Sequence, residues 1–238
     1  MACLGSSTTA GKGQAFNWIA ELERRSRNSG ICFRNFGVGG DLAYNGLQRL
    51  PEVIASRPDK VLVLLGGNDV IALVSKKAGI FFSLFKHLPT KPSPEWFREN
   101  LGTIARRLKN ESSARVALCS LSPIGEDPTP TDAVQAEFNR RIEEYSVIVQ
   151  AVAREEGATY LPFYERVHEE IEASPGRAFT RFRFLPFYRN AFRIVALHKT
   201  PDEVARINGW RFHTDGVHLN SLGGMILADL AQEFIDEP

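Results

Sequence analysis

The chain has 238 residues, 43% hydrophobic and 24% charged, with 29 basic against 28 acidic side chains. That length fits one domain, 1–238, with apolar material for a sizeable core, and a formal charge of +1 gives no global reason to expect a nucleic acid or an acidic partner. No apolar run approaches the roughly 18 residues of a spanning helix, the N-terminus lacks the regions of a signal peptide, and three cysteines in apolar strand-like runs, Cys3, Cys32 and Cys119, argue against a disulfide framework.

In chain order, residues 2–5 read as a strand, 14–25 as a helix and 31–36 as a second strand. Residues 42–56 read as a helix interrupted by Pro51. The run 60–65, Lys-Val-Leu-Val-Leu-Leu before Gly66-Gly67, has the continuous apolar character of a strand buried on both faces. A helix over 94–109, a strand over 115–121, a long helix over 131–156, a strand over 158–162 and a helix over 221–235 follow. This βαβ alternation predicts an α/β fold, a parallel sheet of about five strands covered by helices on both faces. Ser7, Gly40 and Asn68 each fall just after a predicted strand. Open α/β sheets bind ligands at the carboxyl ends of their strands, so the three should converge on one edge.

Four short motifs carry the chemistry. Gly5-Ser6-Ser7-Thr8 sits at a strand-to-helix turn. A serine there reads by itself first as a helix N-cap, but it is also placed as a nucleophile, which needs an adjacent base; Ser6 competes with Ser7 for that role. Asn35-Phe36-Gly37-Val38-Gly39-Gly40-Asp41 reads as a tight turn with Asp41 capping the next helix, or as a loop whose Gly40 N–H faces an oxyanion. It lacks the full dinucleotide fingerprint. Gly66-Gly67-Asn68-Asp69 ends the most apolar strand, and the Asn68 amide is a neutral donor suited to developing negative charge. Asp215-Gly216-Val217-His218 spaces a carboxylate and an imidazole so that the first can orient the second, with His218 as general base. His213-x-Asp215-x-x-His218 also admits a metal reading, but no second ligand cluster supports it, so no metal and no cofactor are expected. His87, His168 and His198 lie in no motif. No Gly-x-Ser-x-Gly elbow occurs, which argues against the common α/β-hydrolase architecture.

These four blocks resemble the SGNH hydrolases, also called the GDSL esterase/lipase family. The resemblance spans residues 5 to 218 and implies a flavodoxin-like three-layer α/β/α sandwich that needs no metal. The family's first block reads Gly-Asp-Ser; here it is Gly5-Ser6-Ser7, so the nucleophile maps to Ser7, and Ser6 stands where the family has an aspartate that is not the catalytic acid. The resemblance implies a Ser7–His218–Asp215 triad and an oxyanion hole formed by Ser7, Gly40 and Asn68.

Two insertions bear on the substrate. Residues 70–94 carry Lys76, Lys77, Lys86 and Lys91. Residues 175–201 carry Arg177, Arg181, Arg183, Arg189, Arg193 and Lys199. Neither contains an acid, and both are rich in phenylalanine. Pro186 is expected to start a helix with Phe187, Ala191, Ile194 and Val195 on one face. Phe182, Phe184, Phe187 and Phe192 are candidate substrate-binding residues of a lid-like wall around an acyl pocket. Such a rim suits an apolar acyl chain or an anionic lipid surface. The alternative is that these aromatics pack on the sheet edge or against a homodimer partner. The expected activity is hydrolysis of a small-molecule or lipid carboxylic ester. A carbohydrate O-acetyl esterase, acyl transfer to an alcohol, and a noncatalytic binding module on the same fold are the rivals. The expected compartment is the cytoplasm, although the first strand starts so near Met1 that a longer natural N-terminus would also fit.

Overall fold

The computed structural model describes residues 1–181 and 184–237. Five strands form one parallel sheet: β1 Ala2–Gly5, β2 Arg34–Gly37, β3 Lys60–Leu64, β4 Arg115–Cys119 and β5 Thr159–Leu161, in the order β2-β1-β3-β4-β5. The register pairs Leu4 with both Phe36 and Val63, and Val63 with Leu118. The helices in chain order are α1 Ser7–Ala10, α2 Trp18–Arg24, α3 Ala43–Gln48, α4 Leu50–Ala55, α5 Gly67–Val74, α6 Lys76–Phe85, α7 Pro94–Glu111, α8 Ala133–Glu156, α9 Phe163–Ala173, α10 Phe184–Val195, α11 Pro201–Asn208 and α12 Ser221–Asp236. The expected α/β class and five-stranded parallel sheet are therefore present.

Successive side chains on a strand point to opposite faces, and here they feed two separate apolar layers. Leu4, Val61, Val63, Val116 and Leu118 pack into the layer under α3, α4, α5, α7 and α8. Cys3, Leu62, Leu64, Ala117 and Cys119 pack into the layer under α2, α9 and α12. A strand buried on both faces has no polar side, which is why the sequence around 60–65 runs apolar without alternation.

Several boundaries differ from the sequence reading for local reasons. The first long helix begins at Trp18, because the Asn17 side chain accepts the Ala20 N–H at 3.0 Å and caps it there. Pro51 divides 42–56 into α3 and α4 and sits in the first turn of the second, where its missing N–H costs nothing. The second strand starts at Arg34, leaving Cys32 exposed ahead of it. The segment 70–94 holds α5 and α6, and α9 and α11 had no predicted counterpart.

The chain leaves β1 for one neighbour, β2, and returns for the other, β3. That reversal is the topological switch point where such sheets open a crevice. The loops leaving β1, β2 and β3 carry Ser7, Gly40 and Asn68 to it.

Candidate active site

Ser7 is the first residue of α1, directly after β1 and Ser6. A side chain at Gly5 would run into Thr9 and the Leu64 carbonyl, so only glycine lets the turn close this tightly. The Ser7 hydroxyl lies 3.1 Å from His218 Nε2, and His218 Nδ1 lies 2.8 Å from Asp215 Oδ2. The other carboxylate oxygen, Asp215 Oδ1, accepts the backbone N–H groups of Val217 at 3.0 Å and His218 at 2.8 Å. Asp215 is thus held by its own loop while it holds the imidazole. Ser6 has no such partner; it occupies the cap position of α1. The geometry brings Ser7, rather than Ser6, to the histidine.

The electrostatics of the pair are cooperative. Burial works against the charge on both groups, but their attraction and hydrogen bonds outweigh it. The imidazole is raised above its ordinary value and the Asp215 carboxyl is lowered below its own.

On the other side of Ser7 the β2 loop is clasped in place. Lys86 Nζ donates to the Gly39 carbonyl at 2.7 Å and reaches Asp41 Oδ1 at 2.8 Å. Arg49 pairs with Asp41 Oδ2 at 2.7 Å. One reading of this turn has Asp41 capping the next helix. It serves instead as the hub of a two-cation clamp, and Leu42 takes the cap position. Gly40 has φ of 78°, and a Cβ there would lie 2.9 Å from the Lys86 side chain. Asn68 Nδ2 donates to the Asp41 carbonyl at 2.9 Å, so one amide proton fixes the side chain and the second is left for a ligand. The N–H groups of Ser7 and Gly40 have no backbone acceptor among the described residues; for Ser7 this follows from its place at the start of a helix. The crevice beside Ser7 and Asn68 is walled by Leu65, Ile71, Leu121, Ile124 and Val217.

Sequence reasoning missed Glu126. Its buried carboxylate accepts three consecutive backbone N–H groups, those of Arg211, Phe212 and His213, at 2.8, 2.7 and 3.0 Å. The same carboxylate lies 2.9 Å from His213 Nδ1, while His213 Nε2 faces the Pro123 carbonyl at 2.9 Å. Burial alone would raise the Glu126 carboxyl, but the His213 contact and the backbone donors bring it below the ordinary range. His213 is therefore committed to the loop that carries Asp215, with both ring nitrogens engaged away from it. Gly125 adds an N–H to the Gly216 carbonyl at 2.8 Å. Gly216 has φ of 90° and no room for a Cβ against Phe179 and Trp210. No motif surrounds Glu126, so nothing in the sequence singled it out.

Of the candidate substrate residues, Phe187 meets the site: its ring stands edge-on to the His218 imidazole at 6.0 Å between centroids. Phe182 lies outside the described residues, and so does the side chain of Phe184. Phe192 is a correction. It projects from the outer side of α10, 60% exposed, and is not among the residues lining the crevice beside Ser7. Val195 is likewise outward, since one residue beyond Ile194 turns about 100° round the helix.

The esterase TesA of Pseudomonas aeruginosa is 27% identical over 166 residues, which cover 68% of this chain; the chain matches 65% of that relative's length. An acetylxylan esterase from Geobacillus stearothermophilus superposes with a TM-score of 0.64 at 18% identity, covering 100% of this chain and 94% of that one. A lipase/acylhydrolase from Enterococcus faecalis gives 0.61 at 20% identity over 98% and 93%. At these identities the structures speak for the fold. The model of the GDSL-like lipase/acylhydrolase family matches residues 3–224, nearly the whole chain, and the protein belongs to that family.

Proposed function

We propose that the protein is a serine hydrolase of carboxylic esters, working through an acyl-enzyme on Ser7. The observation that carries this is the unbroken chain Ser7 Oγ–His218 Nε2 at 3.1 Å and His218 Nδ1–Asp215 Oδ2 at 2.8 Å. His218 takes the hydroxyl proton as Ser7 attacks the ester carbonyl, and Asp215 holds the tautomer and stabilises the imidazolium. The developing oxyanion is bound by the N–H groups of Ser7 and Gly40 and the free amide proton of Asn68. His218 then gives its proton to the departing alcohol, and the same histidine activates the water that releases the acid.

The apolar walls of the crevice, Leu65, Ile71, Leu121, Ile124 and Val217, favour an apolar acyl group over a polar one. Phe187 beside His218 narrows the mouth. The test is hydrolysis of p-nitrophenyl esters from acetate to palmitate by wild type and Ser7→Ala. Serine-dependent turnover that rises with chain length is the expected result. Turnover confined to acetate would move the substrate toward O-acetylated sugars. A protein that neither turns over any ester nor is labelled at Ser7 by an organophosphonate would be a binding module, and the proposal would fall. Ser7→Ala should retain the wild-type fold and stability, because the hydroxyl supports no other contact among those described.

A further inference from the structure

Helix α10 has one broad apolar side, part of it covered and part of it open to solvent. Its inner face, Phe187, Asn190, Ala191 and Ile194, is wholly or partly covered. Its outer face carries Leu185, Tyr188, Phe192 and Val195, spaced 3, 4 and 3 apart, so they form one continuous row along the helix. These side chains are 77%, 67%, 60% and 69% exposed. A row of four large apolar side chains in water is costly unless something covers it. On the Gly40 side of the crevice, α6 exposes a second row, Ile80, Leu84 and Phe85. Phe187 on α10 touches His218 and Lys86, at the end of α6, touches the Gly40 loop. The two rows therefore flank the mouth of the active site.

The charge around them identifies the occupant. The segments 70–94 and 175–201 contain ten of the chain's 29 basic residues and none of its 28 acids. Lys76, Lys77, Lys91, Arg181 and Arg189 have no acidic partner among the described residues. Arg177, Arg181 and Arg189 line one depression with Asn190, Asn208 and Trp210, next to Asp215 at the base of α10. Arg177 is stacked on Trp210 at 5.5 Å and donates to the Asn208 carbonyl at 2.6 Å, so its guanidinium is fixed facing that depression. A second copy of the chain docking here about a two-fold axis would set the cations of these acid-free segments against one another. An anionic, amphiphilic surface matches both features, taking the apolar row into its acyl layer and its headgroups against the arginines.

We propose that the outer face of α10, supported by the exposed row of α6, is an interfacial docking surface that seats the protein on anionic lipid assemblies with the active-site mouth against them. This deepens the esterase reading by assigning its substrate to an interface, and it rests on that reading only for the chemistry, not for the docking itself. The full-length Ser7→Ala protein should sediment with vesicles of phosphatidylcholine mixed with phosphatidylglycerol at least about tenfold more tightly than with phosphatidylcholine alone, and added salt should weaken it. Leu185→Gln with Val195→Gln should lose about tenfold or more of this binding. Arg181→Glu with Arg189→Glu should abolish the preference for the anionic vesicles. All four sites are exposed, so the variants should fold. In the Ser7 background, hydrolysis of soluble p-nitrophenyl acetate should be unchanged by Leu185→Gln with Val195→Gln, which separates loss of docking from loss of catalysis. Equal binding of wild type and both variants, or no binding to either vesicle, would overturn the proposal. A concentration-dependent dimer dissolved by the Leu185 and Val195 changes would assign the face to a second copy and overturn it too.

Discussion

At the scale of single residues, the site depends on proton positions that pH can move. His218 must be neutral to accept the Ser7 proton, and Asp215 raises its pKa. Activity as kcat/KM should therefore rise with pH through an apparent pKa above the ordinary imidazole value of about 6.5. Asp215→Asn should bring that pKa down and lower kcat by about 10⁴-fold, since the imidazole loses both its orientation and its counter-charge; a pH–rate profile of the two proteins checks both. The pair also affects stability. Asp215, lowered by the pairing, contributes above the ordinary carboxyl range and loses that contribution as pH falls through its depressed value. His218, raised, contributes below the ordinary imidazole value and loses it as pH rises through its elevated one. Asn68→Ala removes one proposed oxyanion donor and should lower kcat by about 10²–10³-fold with little change in KM, seen in steady-state kinetics. Ser7, Asn68, Asp215 and His218 were legible in the sequence because each sits in a short motif whose spacing has a chemical purpose.

At the scale of elements, His218, the proposed base, is only as well placed as the loop between α11 and α12 that carries it. That loop closes on itself through the Thr214 N–H to the His218 carbonyl at 2.7 Å. It is held from outside by Glu126, which accepts the N–H groups of Arg211, Phe212 and His213. A buried carboxylate removed from its partners leaves several donors unsatisfied at once, a loss of about 3–5 kcal/mol. Glu126→Ala should lower global stability by that order in urea unfolding and reduce kcat as the loop loosens; an unchanged midpoint would show that the contact carries no weight. The second clamp, Lys86 and Arg49 on Asp41, does the same for Gly40. Neither clamp was legible in the sequence. Glu126 is 87 residues from His213 and Lys86 is 45 from Asp41, and no local pattern records a contact made across such distances. Lys86 had been counted among the rim cations; α6 turns it inward to the Gly39–Asp41 loop.

At the scale of the whole molecule, a sheet buried on both faces makes every enclosed polar group costly, and Asp69 is a buried carboxyl with one oxygen unpartnered among the described residues. Its Oδ2 accepts the Ala43 N–H at 3.1 Å, while its Oδ1 and the hydroxyl of buried Tyr145 have no partner among the described residues. Burial pushes the Asp69 carboxyl up to about 7. The native state then holds a proton that the unfolded chain has already released, so stability should fall as pH rises from the ordinary carboxyl range toward 7, by about 1.4 kcal/mol per pH unit. Asp69→Asn keeps the acceptor for Ala43 and should flatten this slope, measured as urea midpoints across that window. Charge is also distributed at this scale. The near-neutral total conceals two cationic segments on an otherwise acidic body, and both lie at the mouth of the site.

The sequence by itself determined the parallel α/β class, the order of the strands' motifs and the candidates for nucleophile, base and orienting acid. Apolar periodicity and turn chemistry are local, and the catalytic groups sit where strands end. Periodicity grouped Phe187, Ala191 and Ile194 on one face of α10, but the tertiary structure alone decided that this part of its broad apolar side meets His218 while the adjoining row meets solvent. It alone turned Phe187 inward and Phe192 outward, joined Glu126 to the loop of Asp215, and placed Lys86 against Gly39. Those are long-range contacts, set by how the layers pack on the sheet.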